Sequence, residues 1–283
     1  MPAVPYTFIT DKLSEWSYKA PTPNNRGGLS VYVKENQSSN DSPEWQNTIW
    51  NPNECDLKDC PTIGVMPFGV RDPIAGSQNT SRLSCPVTIP DPSQAEVYRQ
   101  IDEHNIQTAL ACKETWFPKR AAQLTEAKIR EMYRSLLYQD PEGKYCPSLQ
   151  VKVNLTGKNA TKVWMYEGKD WNEQEQRWVV KFRPGDISEI RAYDRCLATI
   201  SVNQLYFQKH EFGMALTISE MLVYQENKST KTAGFYFPAD VAAPQMVQCS
   251  ASSMQDDDDD CVNPLNEGAL DMGGSTNDAE MNG

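Results

Sequence analysis

From Ser148 onward the chain is a run of alternating segments, and this limits its fold more than any other feature. Leu149, Val151, Val153 and Leu155 alternate with Gln150, Lys152 and Asn154. Successive strand residues point to opposite faces, so this is the pattern of a half-buried strand. Further strand segments follow at Thr161-Lys162-Val163-Trp164-Met165-Tyr166 and over 177–182, 187–193, 196–207 and 213–224, with Gly157, Gly168, Gly185 and Gly213 as punctuation. Short strands at such spacing predict an antiparallel sheet or a small barrel. Upstream, Leu29-Ser30-Val31-Tyr32-Val33 alternates, and Arg82-Leu83-Ser84-Cys85-Pro86-Val87-Thr88-Ile89 reads as a strand. Its Pro86 demands an edge or a bulge.

Helices interrupt the strands once. Asp91-Pro92-Ser93-Gln94 combines a good cap, a proline in the first turn and a glutamine three residues past the cap. The helix it starts turns Val97, Tyr98, Ile101, Ala109 and Leu110 inward, with a slip of phase near Asn105. A second helix is expected from about Thr125 to Leu137, with Ile129, Met132, Tyr133, Leu136 and Leu137 on one stripe. The expected class is therefore mainly β with inserted helices. Residues 1–60 read as an irregular N-terminal segment with one strand, 61–237 as the strand-rich domain with a helical insertion at about 91–138, and 238–283 as a tail.

The tail takes most of the charge. Residues 239–283 hold ten acids, among them Asp256, Asp257, Asp258, Asp259 and Asp260 in an unbroken run, and no Lys or Arg. The rest of the chain carries 28 acids and 27 bases, so the net charge of −11 lies almost wholly in one segment. A like-charged block poor in apolar residues is expected to stay disordered. Its electrostatic use is to occupy a cationic groove or a basic partner. The longest apolar runs fall far short of the roughly 20 residues of a membrane span. MPAVPYTFITDKLSEW lacks the layout of a signal peptide. The eight cysteines form no C-x-x-C pair, and only Cys55 and Cys60 are close in sequence. Reduced thiols in an intracellular compartment are expected, with no bound metal or cofactor.

The strand-rich half interleaves flat rings with cations: Lys152, Lys162, Trp164, Tyr166, Lys169, Trp171, Arg177, Trp178, Lys181, Phe182, Arg183, Arg191, Tyr193 and Arg195. Lys162, Trp164 and Tyr166 share one strand face while Val163 and Met165 take the other, so the first set is expected to point outward. Trp178 and Phe182 share a face with Val180 and are expected in the core. An exposed ring beside a cation suits an unpaired base stacked on the ring, with its phosphate on the cation. Each stack is worth roughly 1–3 kcal/mol. The nucleic-acid-binding residues expected on this ground are Lys152, Lys162, Trp164, Tyr166, Arg177, Lys181, Arg183, Arg191 and Lys209. Single-stranded DNA is the expected ligand, with RNA left open. No phosphate-binding loop, G-x-S-x-G elbow or H-E-x-x-H helix occurs, and two histidines without a nearby nucleophile argue against a triad. The chain is therefore not expected to be an enzyme.

Four stretches carry a resemblance: Val65-Met66-Pro67-Phe68-Gly69-Val70, Tyr145-Cys146-Pro147-Ser148-Leu149-Gln150-Val151-Lys152-Val153, Phe182-Arg183-Pro184-Gly185-Asp186, and Leu205-Tyr206-Phe207-Gln208-Lys209-His210-Glu211-Phe212-Gly213-Met214. In this order the chain resembles the single-stranded DNA-binding proteins of nucleocytoplasmic large DNA viruses. Those are similar to the podophage replication protein with an OB-fold and an acidic C-terminus. The resemblance implies an OB-fold-like five-stranded antiparallel barrel with a helical insertion. It also implies DNA coating during viral replication, recombination and repair, in a cytoplasmic factory or the nucleus of an infected cell. Lys152 would line the DNA groove, Trp164 and Tyr166 would stack bases, and the acidic tail would restrain the groove and dock replication proteins. The quoted end, Glu280-Met281-Asn282-Gly283, lacks the aromatic that closes the phage and bacterial pattern. Two other readings compete: an acidic, histone-chaperone-like interaction module and a virion structural protein. The sequence is compatible with a homodimer and does not fix the oligomeric state.

Overall fold

The computed structural model describes residues 4–24, 28–71 and 82–225. Contacts divide the chain into Met1–Thr230 and Lys231–Gly283, and every described residue belongs to the first unit. The five aspartates Asp256 to Asp260 therefore lie outside the described residues.

Nine strands organise the sheet: β1 (Leu29–Lys34), β2 (Glu44–Gln46), β3 (Gly64–Val65), β4 (Arg82–Thr88), β5 (Ser148–Asn154), β6 (Lys162–Asn172), β7 (Arg177–Pro184), β8 (Arg195–Phe207) and β9 (Phe212–Tyr224). The long hairpin β8–β9 is its spine, paired from Phe207 opposite Phe212 to Arg195 opposite Tyr224, with one residue bulged out of β8 at Asn203 and one out of β9 at Ser219. Shorter strands then line up end to end along both outer edges. β1, β2 and β3 pair with β8. β5 and β6 pair with the other edge of β9 and run parallel to it. β4 closes onto β5, and among the described residues β7 pairs only with β6.

This corrects the five-stranded antiparallel barrel. The sheet is mixed, has more than five strands, and among the described residues its pairings do not close into a ring. Alternation reveals that a strand exists and which side chains face inward. It does not reveal that a 13-residue strand such as β9 offers room for two neighbours on one edge. The N-terminal residues are also less irregular than expected. Val4–Pro5, Ser17–Tyr18 and Thr22–Pro23 add short strands to β1 and β2, and Trp45 of β2 is wholly buried. The segment 187–193 is not a strand. Ile187–Glu189 forms a single 3-10 turn closed by a capping box, in which Asp186 Oδ1 accepts from Ser188 N at 2.8 Å and Glu189 Oε1 accepts from Asp186 N at 2.9 Å.

The helices cover one face. α1 (Pro92–Ala111) starts at the expected Asp91 cap, which accepts from Ser93 N at 2.9 Å. It buries Val97, Tyr98, Ile101 and Ala109 in the main core, and Leu110 packs against the edge of that core. The slip of phase has a cause: Asp102 and Asn105 are themselves buried. The Asp102 carboxylate accepts from Tyr133 OH at 2.9 Å, Ser135 OH at 2.6 Å and Leu136 N at 3.2 Å. These bonds explain why α2 (Glu126–Met132) stops before the expected Leu137. The buried stripe continues past Met132, but the backbone leaves the helix to satisfy Asp102, since a buried carboxylate without donors costs several kcal/mol.

The opposite face of the sheet carries a smaller cluster of Leu57, Cys60 and Ile63, packed against Trp50, Tyr166, Leu197, Leu222 and Tyr224. The loop over 50–63 thus lies on the side of the sheet away from α1. Among the described residues no group of three His, Cys, Asp or Glu side chains gathers to hold a metal, the cysteines are free thiols, and no helix is long and apolar enough to cross a membrane.

Candidate nucleic-acid interface

β6 and β7 form an arm. Lys162 to Met165 still pair with β9, but beyond Met165 the arm is only two strands wide. Its turn is held by Asn172 Oδ1, which accepts from Gln174 N at 2.9 Å and Glu175 N at 3.1 Å. The register shifts by one residue between Tyr166 and Gly168, where Gly168 takes a φ of +129°. Such a bulge inserts one residue and resets the alternation. An extended backbone with positive φ is open to glycine almost alone.

The bulge sorts the arm's side chains. Directly opposed residues share a face, so one face carries Trp164, Tyr166 with Phe182, Lys169 with Val180, and Trp171 with Trp178. The other carries Arg183, Lys181, Val179 and Arg177. Had the alternation run unbroken, Trp171 would point to the opposite side from Trp164. Two edge-to-face ring pairs result: Trp164 with Phe182 at 5.2 Å and Trp171 with Trp178 at 5.7 Å.

The 50–63 loop covers the middle of this aromatic face and leaves its ends open. Tyr166 packs edge-on to Trp50 at 6.0 Å, and its hydroxyl is pushed up to about 12, first by burial and then by the nearby Asp56 carboxylate. Lys169 Nζ donates to the carbonyls of Pro52 and Cys55 at 2.5 and 3.0 Å and sits 4.8 Å from the Trp178 ring centre. Trp178 N donates to Asn53 Oδ1 at 3.0 Å. Outside the cover, Phe182 is 51% exposed and Trp171 46% exposed, while Trp164 is half-buried with its indole N–H on Glu220 Oε1 at 2.5 Å.

The expected residues therefore divide. Trp164 and Lys162 lie on the aromatic face, with Val163 and Met165 buried beneath. Tyr166 shares that face but is held under the loop. Phe182 was expected in the core and is a bare ring; Trp178 is half-buried on the same face. The cations Arg177, Lys181 and Arg183 sit on the reverse face, each beside an acid. Arg177 pairs with Glu175 at 2.5 Å, Lys181 with Asp170, and Arg183 grips Glu189 at 2.6 and 3.2 Å and approaches Glu167 at 3.7 Å. Arg183 in turn holds the Glu189 carboxyl down at about 2. Residues 162–184 contain five cations and four acids, and Glu189 pairs with Arg183 from beyond the strand, so the arm is close to neutral and makes no strong positive trough of its own.

Lys152 is exposed on β5, opposite Thr217 of β9. Past the β9 bulge at Ser219 it lies on the same side of the sheet as Lys162 and Trp164, about 15 Å away along β9 at ~3.3 Å per residue. Lys209 stands at the far tip of the β8–β9 hairpin, about 30 Å from the arm by the same measure, and its carbonyl accepts from Arg120 at 3.1 Å. Arg191 lies off the arm, in the turn before β8. The sequence signal for the regrouping was Gly168, a glycine inside a strand pattern.

Two solved structures are similar in part. "Single-stranded DNA-binding protein from bacteriophage Enc34 in complex with ssDNA" aligns with a TM-score of 0.36 and 10% identity, covering 74% of this chain and 96% of that one. The C-terminal truncation of the same phage protein aligns with a TM-score of 0.35 and 10% identity, covering 75% and 96%. No family model and no curated protein matches the chain. A likeness at this level carries no argument for fold or ligand.

Proposed function

We propose that the chain binds single-stranded DNA without reading its sequence, with the open ends of the β6–β7 arm as its stacking surface. One observation carries this: five rings stand on one strand face, and the covering loop leaves Trp164 with Phe182 at one end and Trp171 at the other reachable by solvent. An exposed Trp and an exposed Phe beside cations on a two-stranded arm offer faces on which unpaired bases can stack. Lys162 and Lys152 lie on the same side and supply phosphate contacts. The paired cations on the reverse face contribute by exchanging an acid for a phosphate. An exposed ion pair is worth about 0–1 kcal/mol, so that exchange is cheap.

In this reading stacking dominates and the ionic share is small. Coating of unpaired strands during viral replication, recombination and repair is the role proposed, inside an infected cell. The acidic residues of 239–283 compete for the same surface and serve as a handle for basic partners. Titration of oligo-dT against the intrinsic tryptophan fluorescence at two salt concentrations tests it. Quenching is expected, with a shallow salt slope of about −0.7 for each phosphate contacted. Absence of quenching and of binding overturns it.

A further inference from the structure

Away from the arm, two loops meet backbone to backbone. Tyr193 N donates to Met66 O at 2.7 Å, and Met66 N donates to Asp194 O at 2.8 Å. Both loops turn at left-handed residues. Gly69 has a φ of +64°, and a Cβ there would come within 3.0 Å of the Arg191 carbonyl carbon. Tyr193 has a φ of +69°, unusual for a bulky side chain and held only where the surroundings enforce it. Here the buried Asp194 enforces it, accepting from Arg191 N at 2.8 Å. The effect is to throw two rings into solvent: Tyr193 is 66% exposed and Phe68 56% exposed. The Arg71 guanidinium lies 4.4 Å from the Phe68 ring centre, and exposed Arg191 adjoins Tyr193. Neither arginine forms an ion pair with a carboxylate among the described residues, in contrast to Arg177, Lys181 and Arg183 of the arm.

We infer that Phe68, Arg71, Arg191 and Tyr193 form a second contact for an unpaired polynucleotide, separate from the arm. Two rings on preset loops offer stacking faces at little cost in ordering, and two guanidiniums with no ion-pair partner among the described residues add phosphate contacts to those of the nearly neutral arm. The inference rests on the single-strand reading above and adds to it the place where most of the salt dependence arises.

The test uses the full chain and oligo-dT. Phe68→Ala with Tyr193→Asn removes both rings, and asparagine accepts the left-handed backbone, so the melting curve should hold; Tyr193→Gly serves as a second variant on the same ground. The double variant should lose about 10-fold or more in affinity for long oligo-dT. Arg71→Gln with Arg191→Gln should flatten the salt slope by about 0.7 per contact removed. Crosslinking of iodouracil-substituted oligo-dT should reach Phe68 or Tyr193. Wild-type affinity and salt slope in both sets of variants overturn the second contact alone, while the arm continues to bind. Failure of the unaltered chain to bind oligo-dT overturns both readings. If the ring variants alter binding only in the chain with residues 239–283 present, the patch holds that acidic segment and the inference is wrong.

Discussion

The chain builds two aromatic clusters by the same geometry and uses them in opposite ways. Beneath α1, Phe117, Phe207, Phe212, Trp116 and Tyr133 meet mostly edge to face at 5.2–5.5 Å, and Phe207 lies flat on Phe212 at 5.4 Å. On the arm, Trp164 with Phe182 and Trp171 with Trp178 meet at 5.2 and 5.7 Å. Ring-to-ring geometry does not tell them apart. The difference is cover: helices and the N-terminal segment close over the first, while the 50–63 loop reaches only the middle of the second. Ring pairing is therefore no sign of a core, and a ring's function is decided by what lies over it.

The widest separation between the clusters should appear in stability. Phe212→Ala removes a wholly buried ring and should cost about 3–5 kcal/mol in chemical denaturation. Trp171→Ala should stay within about 0.5 kcal/mol. Equal losses would break the comparison. Binding should show the reverse. Trp164→Ala, and separately Phe182→Ala, should each weaken oligo-dT binding by about 1–3 kcal/mol in fluorescence titration while the melting temperature holds. A large fall in melting temperature for Trp164→Ala would move that ring into the core class. A smaller effect is expected from deleting residues 239–283. Affinity should rise by about tenfold or less and become less sensitive to salt, because an anionic competitor is gone; weaker binding would count against competition. The finest test concerns the boundary between cover and open ends. The fold raises Tyr166 to about 12 from the ordinary value near 10, so it favours the neutral phenol. That contribution is fully present below pH 10 and fades as pH rises through about 12. Ultraviolet titration should show that Tyr166→Phe removes one late-ionising tyrosine, and loss of an early one instead would mean that the loop does not cover it.

Much of this was legible in the residues. Asp91-Pro92 marked the start of α1, Leu149, Val151 and Val153 marked the buried face of β5, and Phe207 and Phe212 marked the ends of a hairpin whose tip holds Lys209. These features depend on near neighbours. What was not legible depends on distant ones. Nothing near Met132 announces that Asp102, thirty residues earlier, will pull the chain out of helix. Nothing in the alternation of β7 tells whether Trp178 and Phe182 face a core or the open, because both are the same pattern with a different object above them. The ring-and-cation cluster was visible as composition, but its sorting into an aromatic face and an ion-paired face needed the register of two strands. Tyr193 and Phe68 were visible as residues, but that their loops adjoin was hidden, since the meeting of the loops depends on hydrogen bonds across more than a hundred positions.

The extra residue at Glu167 and Gly168 has a consequence for how the arm tolerates change. A branched residue at 168 could not hold the φ of +129° and would press the strand toward unbroken alternation, turning over everything outboard of it, as one flips the free end of a ribbon. Trp171 would then trade sides with Asp170, and the arm would become a checkerboard with grease and charge on both sides. Loss of Glu167 would instead leave a regular ladder with the same sorting. Insertions in the turn at 173–176 would leave the sorting untouched. The arm can lengthen at its tip without harm, yet one side chain added at its root would scramble both of its surfaces.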